Sequence, residues 1–386
     1  MEDTLQKESR RYLKRKRRRS KDDDATQSNG NTLAAGIVLN CYYLLRNIFH
    51  HLNGKDLTKA AMVCRSWSEA ATKEKLVRRN PCRLAMCKKR QKEYCYQELL
   101  GYISNLRIVP RIGFWFLSTQ SLSWKEKESI KNLLPECWDI ICLNSQGIID
   151  SRGTDRCSPY NSVCTFLPEI PNVRMKTFTL TNDFVNEYQE IVNTIVNHNK
   201  TSVSHHETST CLMLFFEYES TKLALRWASK LQNSKEIKID SVLGSKFRRN
   251  WYTVNMTKPT HVRRSCICVV ITGSIKTWST ILADDCNTEM QIEASLKLFK
   301  DKVKLKKHSV GFMLISVPYL EDPYDESDKI LKIFTRLFPE VPVAGSFGSG
   351  LFGLPTVDGK NEKEESKKSE SWYQKHGTEF LILTYD

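Results

Sequence analysis

The segment Gly348-Ser349-Gly350-Leu351-Phe352-Gly353 has the residue types and spacing of a dinucleotide-binding turn. In such a turn a helix begins directly after the glycines and binds the phosphates, whereas here Leu354-Pro355 follows and no room remains for another strand–helix–strand unit. The sequence therefore predicts a tight turn that needs positive φ, and not a nucleotide site. The glycines assigned to this glycine turn are Gly345, Gly348, Gly350 and Gly353.

The cysteines raise the possibility of metal chemistry. Cys82, Cys87 and Cys95 lie close together in a basic stretch, but a structural zinc site needs paired short spacings and a fourth ligand, and none is near. Cys266 and Cys268 alternate within an apolar run, so we expect two packed thiols on the same face of a strand. We therefore expect no metal, no cofactor and no catalytic residue, and a chain that is not an enzyme by itself.

The composition indicates where the protein works. Thirteen cysteines are scattered over 386 residues and mostly lie in apolar runs, which favours reduced thiols over a disulfide framework. No apolar stretch approaches the roughly 18 residues that a membrane span needs. The basic N-terminus is not followed by the apolar segment of a secretory signal. We therefore expect a protein of the cytoplasm and nucleus with no membrane partner.

The formal net charge of +15 is concentrated in residues 1–21, which hold ten Lys or Arg against three acidic residues. Residues 1–36 are predicted to be a disordered basic tail, because their composition buries too little to offset chain entropy. The block typical of a nuclear-import signal consists of Lys14, Arg15, Lys16, Arg17, Arg18 and Arg19. A solvated tail and a nucleic-acid-binding arm are the alternatives. The rest of the chain has an ordinary charge balance, so nucleic acid is not the expected partner.

Residues 37–80 are predicted to be a compact unit of three helices. The apolar stripe of its first helix consists of Leu44, Leu45, Ile48, Phe49 and Leu52. Asn53-Gly54 is expected to end this helix and Asp56 to cap the second, while the third runs through Trp67 to about Asn80-Pro81. A unit this short cannot hide all of its apolar surface. It therefore either packs on the rest of the chain or offers an apolar face to a partner.

The remainder of the chain alternates between strand and helix patterns. Residues 81–97 are polar and basic and are predicted to be a linker or an exposed helix. The strand-like runs are Ile112–Leu117, Ile140–Leu143, Val163–Leu167, Cys211–Phe216, Ile237–Val242, Cys266–Thr272, Val310–Val317, Val341–Phe347 and Phe380–Tyr385. Helical periodicity covers residues 124–134, 183–197, 220–231, 288–303 and 325–338. This pattern predicts one mixed α/β domain over residues 98–386, with a mixed sheet and a flexible loop at 358–371.

The helical unit resembles the F-box. The string Leu52-x4-Leu57-x5-Val63-Cys64-Arg65-x-Trp67, preceded by Leu44-Leu45-x2-Ile48-Phe49, contains both halves of that motif. One position departs from the family pattern, because F-boxes usually open with Leu-Pro and here Leu39 is followed by Asn40. This change removes the fixed φ at the entry to the first helix but leaves the main apolar face intact.

The C-terminal part is similar to the FIST-type sensory domain that some F-box proteins carry. The similar segments are Asn105–Pro110, Ser309–Met313 and Phe334–Gly353. FIST domains commonly have Gly-Glu-Ile-Gly where this chain has Gly350–Gly353, and Leu351 replaces the acid, which argues against small-molecule sensing. The resemblance implies an α+β fold, in which an N-terminal three-helix F-box is followed by a large mixed α/β FIST-like domain with a mixed sheet.

F-box proteins are substrate receptors of SCF-type ubiquitin ligases. The resemblance implies that this chain docks on the adaptor subunit, and through it on the cullin and RING subunits, and presents unknown protein substrates for ubiquitination and proteasomal degradation. The matching docking or supporting positions are Leu39, Leu44, Leu45, Ile48, Phe49, Leu52, Leu57, Val63, Cys64 and Trp67. Half of these could serve only to hold the helices together, and Cys64 and Trp67 are the first candidates for that role. The alternative is a ligand-sensing or nucleic-acid-associated protein whose F-box-like helices are only a packing element.

Overall fold

The structure, a computed structural model, describes residues 42–86, 92–118, 129–130, 132–133, 139–145, 147–151, 153–155, 162–201, 208–247, 252–255, 266–282, 286, 288–316, 324–356 and 372–386. The chain divides into two compact units, Met1–Val77 and Arg78–Asp386, called here the helical unit and the C-terminal unit. Predictions that lie outside the described residues are the basic tail with its import block, Leu39, Cys87 and the loop at 358–371.

The described residues of the helical unit, 42–77, form three helices, as predicted. They are α1 (Tyr42–His51), α2 (Gly54–Ala60) and α3 (Arg65–Val77). Asn53 caps α2, because its side-chain oxygen accepts a hydrogen bond from the backbone N–H of Asp56 at 2.8 Å. The prediction of Asp56 as the cap is therefore wrong. Asp56 lies in the first turn of α2, where a negative charge is favoured by the helix dipole.

The C-terminal unit contains strands and helices in alternation. Its strands are β1 (Cys82–Met86), β2 (Pro110–Ser118), β3 (Asp139–Ser145), β4 (Ile148–Asp150), β5 (Gly153–Asp155), β6 (Ser162–Pro168), β7 (Val173–Leu180), β8 (Ser209–Glu217), β9 (Ser241–Phe247), β10 (Tyr252–Asn255), β11 (Cys266–Gly273), β12 (Lys276–Leu282), β13 (His308–Ser316), β14 (Val343–Gly348), β15 (Leu351–Leu354), β16 (Tyr373–Gln374) and β17 (Gly377–Tyr385). Its helices are α4 (Lys92–Ser104), α5 (Asn186–Thr201), α6 (Thr221–Gln232), α7 (Glu289–Lys302) and α8 (Tyr324–Leu337), and residues 129–130 and 132–133 are also helical.

These strands form three mixed sheets. Sheet 1 has the order β1-β6-β2-β3-β10, sheet 2 has the order β16-β15-β9-β8-β11-β7, and sheet 3 has the order β12-β17-β13-β14-β4-β5. The described part of each sheet contains a single parallel pair: β2 with β3, β8 with β9, and β13 with β14. The predicted fold class, helices followed by a mixed α/β region, is confirmed, although the expected single sheet is divided into three.

The C-terminal unit repeats one arrangement of elements three times. Repeat 1 (residues 82–168), repeat 2 (173–273) and repeat 3 (276–385) each run through a strand, a helix, a strand, helical residues, a third strand, a short excursion and a final strand. Within each sheet the strands of its repeat lie in the order first, last, second, third: β1-β6-β2-β3, β7-β11-β8-β9 and β12-β17-β13-β14. The unit therefore has a three-fold structural repeat without a short sequence period.

The excursion between the third and last strands of each repeat crosses to another sheet. Strands β4 and β5 of repeat 1 pair beside β14 in sheet 3, β15 and β16 of repeat 3 pair beside β9 in sheet 2, and β10 of repeat 2 pairs beside β3 in sheet 1. Because each repeat completes the sheet of another in a closed cycle, the three sheets are tied together by backbone hydrogen bonds.

A polar seam also recurs where the first strand of one repeat meets the third strand of another. The Ser241 hydroxyl of β9 donates to the Thr277 hydroxyl of β12 at 2.8 Å, and Asp139 of β3 lies beside Thr177 of β7. At the third seam Arg83 of β1 donates to the carbonyl oxygen at the start of β14 (3.5 Å). The same positions thus join the sheets by different side chains.

One central core is shared by all three sheets, and each sheet has a helix-covered outer face. Phe114 of β2 packs against Phe215 of β8 and Phe312 of β13, with ring centroids 6.2 and 5.2 Å apart, so the second strand of every repeat contributes a ring. Separate clusters join sheet 1 to α4, sheet 2 to α5 and α6, and sheet 3 to α7 and α8.

The segment predicted as a linker, residues 81–97, differs from that prediction. Residues 82–86 form β1, which pairs antiparallel with β6, and α4 begins at Lys92. The basic side chains misled the prediction because β1 lies at the end of its sheet in the described structure, where one side of a strand can remain polar.

Candidate functional site

Helix α1 has two apolar faces, and they face different surroundings. Leu45 and Phe49 are fully buried and form part of the small core of the helical unit. Leu44 and Ile48, four residues apart on the neighbouring face, are 39% and 44% exposed, and Tyr43 is 70% exposed. The predicted stripe therefore contains both core positions and surface positions.

The three helices are held together by a compact set of contacts. The core consists of Leu45, Phe49, Leu57, Ala60, Ala70 and Ala71, with Leu52, Ala61 and Trp67 packed at its margin. The rings of Phe49 and Trp67 meet edge to face with centroids 5.2 Å apart. Trp67 is half-buried against this core and so supports the fold, the structural role expected of it.

The turn between α2 and α3 carries a second exposed apolar segment. Val63 is 62% exposed and Met62 is 80% exposed. Cys64 is exposed as well, so the expectation that it holds the helices together is wrong. Its thiol lies 3.2 Å from the Ser66 hydroxyl, and this hydrogen bond lowers the pKa of Cys64.

Sequence patterns left Tyr43 and Met62 out of the candidate surface. Both are large apolar side chains next to positions of the motif, and neither reaches the core of the helical unit. One sequence signal for them is that a unit of three short helices carries more apolar residues than it can enclose. Their positions next to Leu44 and Val63, which the motif already marks, are a second signal for an exposed apolar surface.

The glycine turn joins two sheets. Strand β14 of sheet 3 ends at Gly348, Gly350 has φ of 150°, and β15 of sheet 2 begins at the next residue. Gly345 and Gly353 lie within β14 and β15, not in the turn. A side chain at Gly345 would overlap the carbonyl oxygen of Met313 on the paired strand, so the glycine there serves a close backbone approach.

The cysteines that the structure describes in the C-terminal unit are free thiols, either buried or half-buried. Cys266 and Cys268 lie in the outer cluster of sheet 2, on the same face of β11, as predicted. Burial raises the pKa of both, and it raises the pKa of Cys82 to about 11. Such thiols stay protonated, and a protonated thiol is a poor metal ligand.

The described residues carry neither a metal-binding cluster nor a membrane-spanning helix. His, Cys, Asp and Glu side chains do not come together there in a group of three or more that could hold a metal ion. Among the helices that the structure describes, none combines the length and apolar character of a membrane-spanning segment.

Comparison with protein-family models identifies a match in the helical unit. Residues 43–83 match the family model described as F-box-like, a range that covers almost all of α1, all of α2 and α3, and the first residues of β1. No curated protein sequence matches the chain. The match supports the F-box resemblance and includes both exposed apolar segments of the helical unit.

Proposed function

We propose that the helical unit docks this chain on the adaptor subunit of an SCF-type ubiquitin ligase. The observation that carries the proposal is the exposure of Leu44, Ile48 and Val63 inside the residues that match the F-box-like family. Large apolar side chains that remain exposed within a recognisable interaction module favour a protein partner over solvent.

The energetics suit a short-helix interface. Fully burying an aliphatic side chain of this size contributes about 1.5–3 kcal/mol, and the half-covered Leu44 and Ile48 would contribute roughly half of that each. A few such anchors at the centre of an interface supply most of the binding energy in helix-in-groove complexes. Tyr43 and Met62 extend the same surface.

The structure also changes which of the ten motif positions are assigned to docking. Leu45, Phe49 and Leu57 are fully buried, so we assign them to support, together with the half-buried Leu52 and Trp67. Docking is assigned to the exposed positions Leu44, Ile48, Val63 and Cys64. A charge placed at Phe49 would test folding rather than binding.

We further propose that the chain is a substrate receptor. The C-terminal segments resemble those of F-box only protein 22, which joins an F-box to a FIST-type sensory domain, and the C-terminal unit would then hold the substrate. A receptor needs no catalytic residue, because holding a substrate lysine near a charged conjugating enzyme raises its effective concentration. Through the adaptor the chain would join the cullin and RING subunits and direct substrates to proteasomal degradation, in the cytoplasm and, by way of Lys14–Arg19, in the nucleus.

Co-expression of the full chain with the adaptor subunit tests the docking proposal. The Ile48→Asp variant should lose the stoichiometric complex, because an aspartate at the centre of an apolar interface is desolvated without a partner. The matched control is Asn47→Asp, which adds the same charge at the exposed neighbouring position of α1 and should leave the complex intact. Far-UV circular dichroism and thermal unfolding of both variants should match the unmodified chain.

Two results would contradict the docking proposal. One is a complex that survives Ile48→Asp with unchanged affinity. The other is an unmodified chain that forms no complex with the adaptor although its helical unit is folded. Either result would favour the alternative in which the F-box-like helices are only a packing element.

A further inference from the structure

Two lysines flank the glycine turn at the carboxyl ends of the two parallel strand pairs of sheets 2 and 3. Lys246 is the penultimate residue of β9, and Lys375 lies in the turn between β16 and β17. In α/β proteins, ligands commonly bind in the crevice outside the carboxyl ends of parallel strands. A ligand site is therefore expected at this end of the C-terminal unit.

The backbone of Lys246 is fixed to the glycine turn. Its N–H donates to the carbonyl oxygen of Gly350 at 3.0 Å, and its carbonyl oxygen accepts the N–H of Ser349 at 2.9 Å. The buried Ser245 hydroxyl donates to the same Gly350 oxygen at 2.9 Å. The backbone of Lys246 is thus anchored to the glycine turn on both sides of its peptide plane.

Lys375 is tied to the same place from the other sheet. The Ser316 hydroxyl, at the end of β13, donates to the carbonyl oxygen of Lys375 at 2.6 Å. Ser316 is itself the register partner of Gly348, the last residue of β14. Hydrogen bonds from strand residues therefore hold the backbones of both lysines beside the glycine turn.

The two ammonium groups have no carboxylate partner among the described residues. Lys246 places its ammonium 4.8 Å from the centroid of the exposed Tyr218 ring. Burial, and then the neighbouring charge of Lys375, lowers the pKa of Lys246. Glu217, the nearest acid along β8, alternates onto the central face of the sheet, whereas Lys246 lies on the outer face.

Other lysine-rich parts of the C-terminal unit look different. Within α7, Lys297 lies 2.9 Å from Glu293, and Lys306 in the following loop lies 2.7 Å from Asp386. These charges are partly balanced by acids of the chain. Bringing two unbalanced ammonium groups together costs Coulomb energy, and a bound anion would recover it.

We propose that Lys246, Lys375 and the turn at Gly348–Gly350 form a binding site for a phosphate group. Two lysines anchored beside the same turn match the charge of a dianion, and lysine is a common phosphate ligand that acts as a point charge. The bound phosphate group would belong either to a phosphorylated side chain of a protein ligand or to free phosphate. The proposal does not rest on adaptor docking, because the site lies wholly within the C-terminal unit.

Isothermal titration of the full chain tests this site with three probes: inorganic phosphate, a short serine peptide phosphorylated on the serine, and the same peptide without phosphate. We expect saturable binding of the phosphorylated probes and none of the unmodified peptide. Lys246→Met and Lys375→Met should each weaken binding at least tenfold, since each removes one of two charges. The matched control Lys300→Met, at an exposed position of α7, should change affinity less than twofold.

The titration results distinguish a protein-borne phosphate from free phosphate and test the proposal itself. A phosphopeptide that binds more tightly than inorganic phosphate would assign the site to a protein ligand, and equal affinities would assign it to free phosphate. Thermal unfolding of the methionine variants should match that of the unmodified chain. The proposal is overturned by the absence of saturable binding to either phosphorylated probe, or by Lys300→Met weakening binding as much as Lys246→Met.

Discussion

The helical unit and the C-terminal unit treat apolar surface in opposite ways. In the described part of the helical unit, six apolar side chains are buried and Phe49 is the largest of them, while Tyr43, Leu44, Ile48, Met62 and Val63 remain exposed. In the C-terminal unit, the inner faces of three sheets share one core and the outer faces are covered by helices, so large rings such as Phe114, Trp227 and Phe334 are fully buried.

The difference follows from size and topology. A unit of three short helices has too little volume to bury the faces of all its helices, and what remains exposed is available to a partner. The three repeats of the C-terminal unit instead exchange strands in a cycle, so each sheet is completed and covered from within the chain. Stability and interaction are therefore supported by different units of this protein.

The largest effect should come from breaking the small core. Phe49→Ala removes a fully buried ring, a change that costs about 3–5 kcal/mol in protein cores, and so small a unit has little stability to spare. We expect the helical unit to unfold while the C-terminal unit keeps its own transition. Hydrogen exchange followed by mass spectrometry on the full chain would show loss of protection confined to residues 42–77.

The matched variant is Ile48→Ala on the neighbouring face of α1. Because Ile48 is 44% exposed, its truncation should cost about 1 kcal/mol or less and leave protection in the helical unit intact. Equal loss of protection in Phe49→Ala and Ile48→Ala would mean that the two faces of α1 are not distinguished as the structure shows.

A smaller effect should follow from overfilling the interior of the C-terminal unit. Gly345→Ala places a methyl group against the carbonyl oxygen of Met313 on the parallel partner strand, where neither backbone can retreat easily. Overpacking of this kind typically costs about 1–3 kcal/mol. Chemical denaturation should show a lower midpoint for the C-terminal transition and an unchanged helical unit.

Gly101→Ala is the matched control for Gly345→Ala. Gly101 lies in α4 with nothing within 4 Å of the place a β-carbon would occupy, so alanine should stabilise the helix by about 0.5–1 kcal/mol. If both substitutions shifted the midpoint in the same direction, the close approach of β14 to β13 would not be what requires a glycine at 345.

The sequence predicts the central strands of the sheets well and their edges poorly. Strands β8, β11 and β13 are buried almost throughout, so their residues form continuous apolar runs that mark them as strands. Strands β7 and β12 lie at sheet ends and alternate with lysine, threonine and serine, so they carry no such run. Their omission, in turn, concealed the three-fold repeat.

The start of β9 and the exposed residues of α1 show a second limit of prediction from sequence patterns. Ile237 and Ile239 were predicted as part of a strand, but they pack at the margin of the outer cluster of sheet 2, and β9 begins at Ser241. In α1, periodicity marks Leu44 and Leu45 alike as apolar. Which of them is covered depends on where α2 and α3 pack, and that is decided by tertiary contacts.

The smallest expected effect concerns the two buried glutamates of the described structure, one in each unit. Glu74 lies 3.3 Å from Nδ1 of His50, whereas Glu379 of β17 accepts one long hydrogen bond from the N–H of Gly244 (3.4 Å), and its Oε1 has no partner in the described residues. Burial raises the pKa of Glu379 well above its ordinary value. A carboxyl whose pKa is higher in the folded than in the unfolded chain lowers the free energy of unfolding as pH rises from about 4.3 towards the folded pKa.

The Glu379→Gln variant removes this pH dependence, so the Tm of the variant relative to the unmodified chain should increase between pH 5 and pH 8. Calorimetry of the C-terminal transition measures this difference in Tm at each pH. If the Tm values of the two proteins instead changed in parallel with pH, the pKa of Glu379 would not differ between the folded and the unfolded chain.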